Sequence, residues 1–245
     1  MRVATGVPGI EKTVLTNGMR IVSEFIPNAQ SFALGIWISA GTRHEPSEQA
    51  GIAHMIEHMV FRRTTTRSSS RIASSFESRG AYVNAFTSKE QTSYYVRALT
   101  PHFRPCLSVL ADVVLNPVFD ARDLEKERSV ILEELKSYDD EAEECILDMA
   151  ERLLFGDHPL GSPIAGTVAS VSGLQAKHLR AFHMKYYRAD TITVTIASGL
   201  EHEEIVRVVS EIFSSTSPTA FGKRAKGTVE TFAADALRQR NDPPR

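Results

Sequence analysis

Apolar and polar positions alternate near the N-terminus and later change period. Residues 12–16 and 19–25 read as two strands, and Asn17-Gly18 between them is a hairpin signal because both positions tolerate positive φ. Residues 31–40 (SFALGIWISA) form a longer apolar run that suits a buried strand. Glu45-Pro46-Ser47 breaks the run, and Ser47 is the expected cap of a helix over residues 50–61. A second helix over 71–78 stops at Gly80. Strands follow at 82–87 and 92–99, the latter rich in aromatic and β-branched residues.

From Pro101 the spacing becomes helical. Leu107, Leu110, Val113 and Val114 share a face, and Asn116-Pro117 ends that helix. A long acidic helix from Asp120 to Tyr138 and another over 145–155 come next. A loop rich in Gly and Pro (156–166), a helix over 174–186, a strand over 191–197 and an amphipathic helix over 203–213 complete the series. Strand clusters alternating with helical pairs indicate an α+β fold, a mostly antiparallel sheet packed by helices, in one domain of residues 1–213. Beyond it apolar periodicity fades. Residues 214–245, with six basic and three acidic side chains, are expected to be a linker or tail with a short helix near 232–238.

Composition narrows the function. With 42% hydrophobic and 24% charged residues the chain is expected to be globular. A net charge of −2 supplies no basic field for nucleic acid. No apolar run approaches the roughly 18 residues of a membrane span. The first residues lack a secretory stretch, and Cys106 and Cys145 are too few for a disulfide framework. The expectation is a soluble, cytoplasmic protein with neither nucleic acid nor membrane as partner. Residues 120–151 stand apart with 13 acidic and four basic side chains, a charge that would attract basic peptides if part of it lined a chamber.

His54-Met55-Ile56-Glu57-His58 carries the chemistry. On a helix, positions i and i+4 share a face, so both imidazoles can reach one ion, and Glu57 projects beside them. Zinc favours nitrogen ligands, and a catalytic site leaves one position for water, whose proton an adjacent carboxylate can take. Ile52, Met55, Ile56 and Met59 give the helix an apolar side, so it is expected to be embedded with its ligand face toward a cavity. A third ligand is needed. Glu127 and Glu134 lie seven apart in the acidic helix and share a face, while Glu133 points about 100° away toward solvent.

These residues resemble the pitrilysin/insulinase family of zinc peptidases, the inverted zincins, and especially their mitochondrial processing peptidase-like branch. The likeness runs from L-T-N-G-M-R-I-V-S-E (15–24) through A-G-T-R-H-E-P-S-E-Q-A-G-I-A-H-M-I-E-H-M-V-F (40–61) and G-A-Y-V-N-A-F-T-S-K-E-Q-T-S-Y-Y (80–95). It continues in N-P-V-F (116–119), E-R-S-V-I-L-E-E-L (127–135), H-P-L-G-S-P-I-A-G-T (158–167) and Y-Y-R-A-D (186–190). It implies a zinc-dependent endopeptidase acting on unfolded peptides, with His54, His58 and Glu134 as ligands and Glu57 as general base. Glu127 would be the acid that supports the catalytic site without touching metal. Asn84, Ala85, Phe86 and Thr87 would form the edge strand against which the peptide lies.

Departures from the family are Arg62-Arg63-Thr64 in place of Lys-Gly-Thr, Arg79-Gly80 in place of Gly-Gly, and no proline after the ligand helix. The resemblance covers only the N-terminal half. The second half of such enzymes supplies an arginine and a tyrosine near the scissile carbonyl, so a homologous partner subunit or a homo-oligomer is expected to complete the chamber. A non-catalytic scaffold subunit and an inactive truncated homologue are the alternatives.

Overall fold

The computed structural model describes residues 1–3, 6–139 and 141–214. The strands are β1 (Arg2–Val3), β2 (Ile10–Val14), β3 (Arg20–Phe25), β4 (Ser31–Ile38), β5 (Tyr82–Thr87), β6 (Thr92–Leu99) and β7 (Ile192–Ser198). They form one mixed sheet in the order β1-β2-β3-β7-β4-β6-β5. The Asn17-Gly18 hairpin forms as expected, with Gly18 at φ +89° and β2 antiparallel to β3. Most pairings are antiparallel, but β7 returns from the helices to lie parallel to β3. Wedged between β3 and β4, it joins the hairpin to the rest of the sheet.

Alternation along β4 sets the layers. Phe32, Leu34, Ile36 and Ile38 are buried in the core, while Ala33 and Trp37 line an open groove on the opposite face. Each of these buried side chains contributes about 1.5–3 kcal/mol relative to exposure. The helices are α1 (Ile52–Val60), α2 (Ser69–Glu77), α3 (Phe103–Leu115), α4 (Ala121–Asp139), α5 (Ala142–Phe155), α6 (Val168–Gly173), α7 (Ala176–Tyr186) and α8 (His202–Phe213). Helix α1 is the most enclosed; Ile52, Met55, Ile56 and Met59 are fully buried, and it packs against α4, α7 and β5.

Two local expectations need correction. Ser47 does not cap α1. It sits in a separate 3-10 turn, and Gly51, at φ +88°, occupies the cap position. The helix expected over 174–186 is α7, which starts at Ala176, and α6 (Val168–Gly173) is an additional short helix ahead of it, with Leu174 extended and buried between the two. The tail expectation, residues 215–245 with their short helix, lies outside the described residues.

Candidate metal centre

The start of α1 is built from outside the helix. Glu45 is buried and accepts hydrogen bonds from the backbone N–H of Gly51 at 2.7 Å and Ala53 at 2.8 Å. It thereby satisfies donors that every helix N-terminus leaves open. Gly51 also lies against the turn at Gly166. A Cβ on Gly51 would come within 2.6 Å of the Ala165 carbonyl oxygen, and one on Gly166 within 2.4 Å of that of Ala50. Both residues have positive φ, so only glycine lets the two backbones meet.

One turn further on, the expected ligands converge. His54, His58 and Glu134 each offer an atom within 4.8 Å of the others. Glu134 Oε2 lies 3.9 Å from His54 Nε2 and 3.8 Å from His58 Nε2, too far for hydrogen bonds. That oxygen is buried without a hydrogen-bond partner, although Glu134 Oε1 accepts from the Tyr138 hydroxyl at 3.1 Å. A zinc ion sits about 2.0–2.2 Å from nitrogen and carboxylate ligands, so the residues present fit one between these atoms.

Glu127 stands behind the centre, only 2% exposed. Its Oε2 accepts from His58 Nδ1 at 3.1 Å, which turns Nε2 toward Glu134. The other oxygen meets the Arg62 guanidinium. The Arg62-Arg63 departure thus has a structural role: Arg62 partly neutralises a buried carboxylate, and Arg63 pairs with Asp123 at 3.3 Å. Glu133 points to solvent, as expected, and there pairs with Lys136 at 2.6 Å.

Burial and the neighbouring His58 lower the His54 pKa to about 4, keeping its ring neutral. For His58 burial works downward, but the Glu127 hydrogen bond and the charges of Glu134 and Glu57 outweigh it, and the pKa is raised. Burial pushes the Glu57 carboxyl up as well, against the hydrogen bond from Thr87.

His54, Glu57 and Glu134 line a cavity of about 660 Å³ together with Ala85, Phe86 and Thr87. Alternation splits the expected substrate strand. Phe86 turns to the other sheet face against Trp37, with ring centroids 5.7 Å apart. Thr87 faces α1, and its hydroxyl donates to Glu57 Oε2 at 2.5 Å. Asn84 does not line the cavity. Its Oδ1 accepts from the Ala85 N–H at 2.8 Å and its Nδ2 donates to the Tyr82 hydroxyl at 3.0 Å. Among the described residues β5 has only β6 as a neighbour and leaves one edge open. Cys106 is buried, whereas Cys145 is half-buried and lines the cavity with Asp148.

Sequence reasoning missed Glu45, Tyr138 and the Arg62 contact. An acid upstream of a helix start was the available signal for Glu45. For the other two only the fold brings the groups together.

Residues 20–168 match the family described as Insulinase (Peptidase family M16). The chain belongs to this family. Residues 173–244 match a second description, Peptidase M16 inactive domain. Among curated relatives of this M16 chain, an uncharacterized zinc protease of Mycobacterium leprae is 40% identical over 207 residues, covering 84% of this chain and 46% of that protein. A probable mitochondrial-processing peptidase subunit beta of Arabidopsis thaliana is 32% identical over 237 residues, covering 96% of this chain and 45% of that protein. The chain thus spans about half the length of these relatives. Among solved structures, a protease from Helicobacter pylori superposes with a TM-score of 0.81 at 22% identity, covering 89% of this chain and 52% of that one. Pitrilysin gives 0.76 at 22%, covering 84% and 23%. These two likenesses establish the M16 fold.

Proposed function

We propose that this M16 chain is the metal-bearing part of a zinc-dependent endopeptidase acting on unfolded peptides, completed by a homologous second half or partner subunit. The observation that carries the reading is the convergence of His54, His58 and Glu134 around a buried, unpartnered carboxylate oxygen. The names of the curated relatives, zinc proteases and processing peptidases, support it.

His54, His58 and Glu134 would hold the ion, which when bound polarises a peptide carbonyl and acidifies water. Glu57 accepts a proton from water as the water oxygen adds to the carbonyl carbon. It returns that proton to the leaving nitrogen as the C–N bond breaks. Glu127 fixes the ring of His58 throughout. A peptide laid along the open edge of β5 would be held by main-chain pairing, which tolerates varied sequences.

Two features support a partner. The curated relatives are about twice as long as the matched region. Helix α5 leaves Ile146, Leu147, Met149, Leu153 and Leu154 each more than half exposed, an apolar stripe of the kind that other protein surfaces cover. The test measures zinc stoichiometry and peptide turnover of the chain alone and with a separately produced homologous half. One zinc per chain, with turnover that rises when the half is added and vanishes in Glu57→Gln, is expected. Zinc without turnover under any pairing favours a scaffold subunit instead, and no zinc at all defeats the reading.

A further inference from the structure

Thr87 falls in the strand expected to touch substrate, yet its hydroxyl is already committed. It donates to Glu57 Oε2 at 2.5 Å, across 30 positions of sequence. We propose that Thr87 is a positioning residue for the general base rather than a substrate contact, an inference that rests on the peptidase reading of the site. Three observations converge on it.

Glu57 comes from a helix that is buried along its opposite side, so its backbone is fixed, but a glutamate side chain retains rotatable bonds. Thr87 comes from a different element, the sheet edge, and reaches the carboxylate across the cavity lining that both share. A charge-assisted bond of this length is among the strongest available to a neutral donor. With Oε2 held, the other carboxylate oxygen is left to exchange the proton. The β-branched threonine also has restricted χ1 freedom in a strand, so the donor is itself preset. Phe86 turns to the opposite face and packs against Trp37, which fixes the pleat that aims Thr87 at α1. Because a peptide would pair along this same strand, substrate binding and the orientation of the base act on one short segment.

The test compares Thr87→Val, which keeps the branched shape without the donor, with Thr87→Ser, which keeps the donor, in the full 245-residue chain. Zinc content and thermal melting should be unchanged. For casein-derived peptides, kcat should fall on the order of 10- to 100-fold in Thr87→Val with KM unaltered, the scale of a hydrogen bond to a charged group. Thr87→Ser should stay near wild type. A readout independent of turnover is the carboxylate infrared band of Glu57, identified as the band lost in Glu57→Gln. It should shift in Thr87→Val and not in Thr87→Ser. A rise in KM with kcat unchanged would make Thr87 a substrate contact after all, and an unshifted band with wild-type kcat would also overturn the proposal. If Thr87→Val melts early, Thr87→Ala provides the same comparison. Should the wild-type chain lack turnover even with a complementary half, the peptidase reading fails and the positioning role falls with it, while an infrared shift in Thr87→Val would still show that the hydroxyl holds the Glu57 carboxylate.

Discussion

Glu45 and Gly51 are joined by a 2.7 Å hydrogen bond from the glycine N–H to the carboxylate, made inside the core where water does not compete. The same carboxylate takes the N–H of Ala53, the residue before the first candidate ligand, so the register of α1 is set before the chain reaches His54. Glu45→Ala leaves two buried donors without a partner, each worth about 1–3 kcal/mol. Urea denaturation should show a loss of that order, and zinc affinity should fall with it. A variant with unchanged stability would mean that water replaces the carboxylate.

Contact between the Gly51 and Gly166 backbones predicts that neither tolerates a methyl group. Gly166→Ala places Cβ within 2.4 Å of the Ala50 carbonyl oxygen and adds about 1–2 kcal/mol of left-handed strain. Its melting temperature should drop by several degrees, whereas Gly173→Ala, where the added Cβ meets nothing within 4 Å, should leave it nearly unchanged.

Buried between Arg62 and His58, Glu127 holds the ring of a candidate ligand by its Nδ1. Glu127→Gln keeps the shape and weakens the hold on His58. Competition with a chromophoric chelator should show zinc affinity lower by about 10- to 100-fold, the usual cost of losing such a supporting partner. Glu133→Gln, changing a solvent-facing carboxylate, should bind as wild type does.

Acid stability offers a test away from the centre. Burial alone would raise the Asp112 carboxyl, but hydrogen bonds from Thr64, Asn116, Arg67 and Thr66 outweigh it and hold the pKa below its ordinary value of 3.8. A depressed folded-state pKa stabilises the fold above the unfolded value, and the gain is lost as pH falls through the folded one. The stability advantage of wild type over Asp112→Asn should therefore be full at pH 6 and shrink below about pH 4. A constant difference across that range would assign the effect to packing.

Much of this fold is legible because its signals are local. The β5 and β6 limits follow from alternation and β-branching, and Asn17-Gly18 announces its turn through backbone freedom. Residue type alone points to Ser47 as the cap of α1, while the helix is served by Glu45 reaching forward across a 3-10 turn. Helix α6 carries little local signal, because six residues with a single buried apolar side chain, Val171, are too short a stretch for helical periodicity to show. At the site, the inverted histidine motif gives His54, Glu57 and His58 by helical geometry alone. For Glu134 over Glu127, spacing left the choice open.

The amino-acid order determined which side chains share a helix face or a strand face, because those periods are properties of the backbone. It therefore fixed the pairing of His54 with His58 and the common face of Glu127 and Glu134. Only the tertiary structure decided that α4 crosses α1 with Glu134 foremost and Glu127 behind His58, and that Thr87 comes to lie against Glu57. Those outcomes depend on how separate elements pack, which burial of the whole core selects and no local spacing encodes.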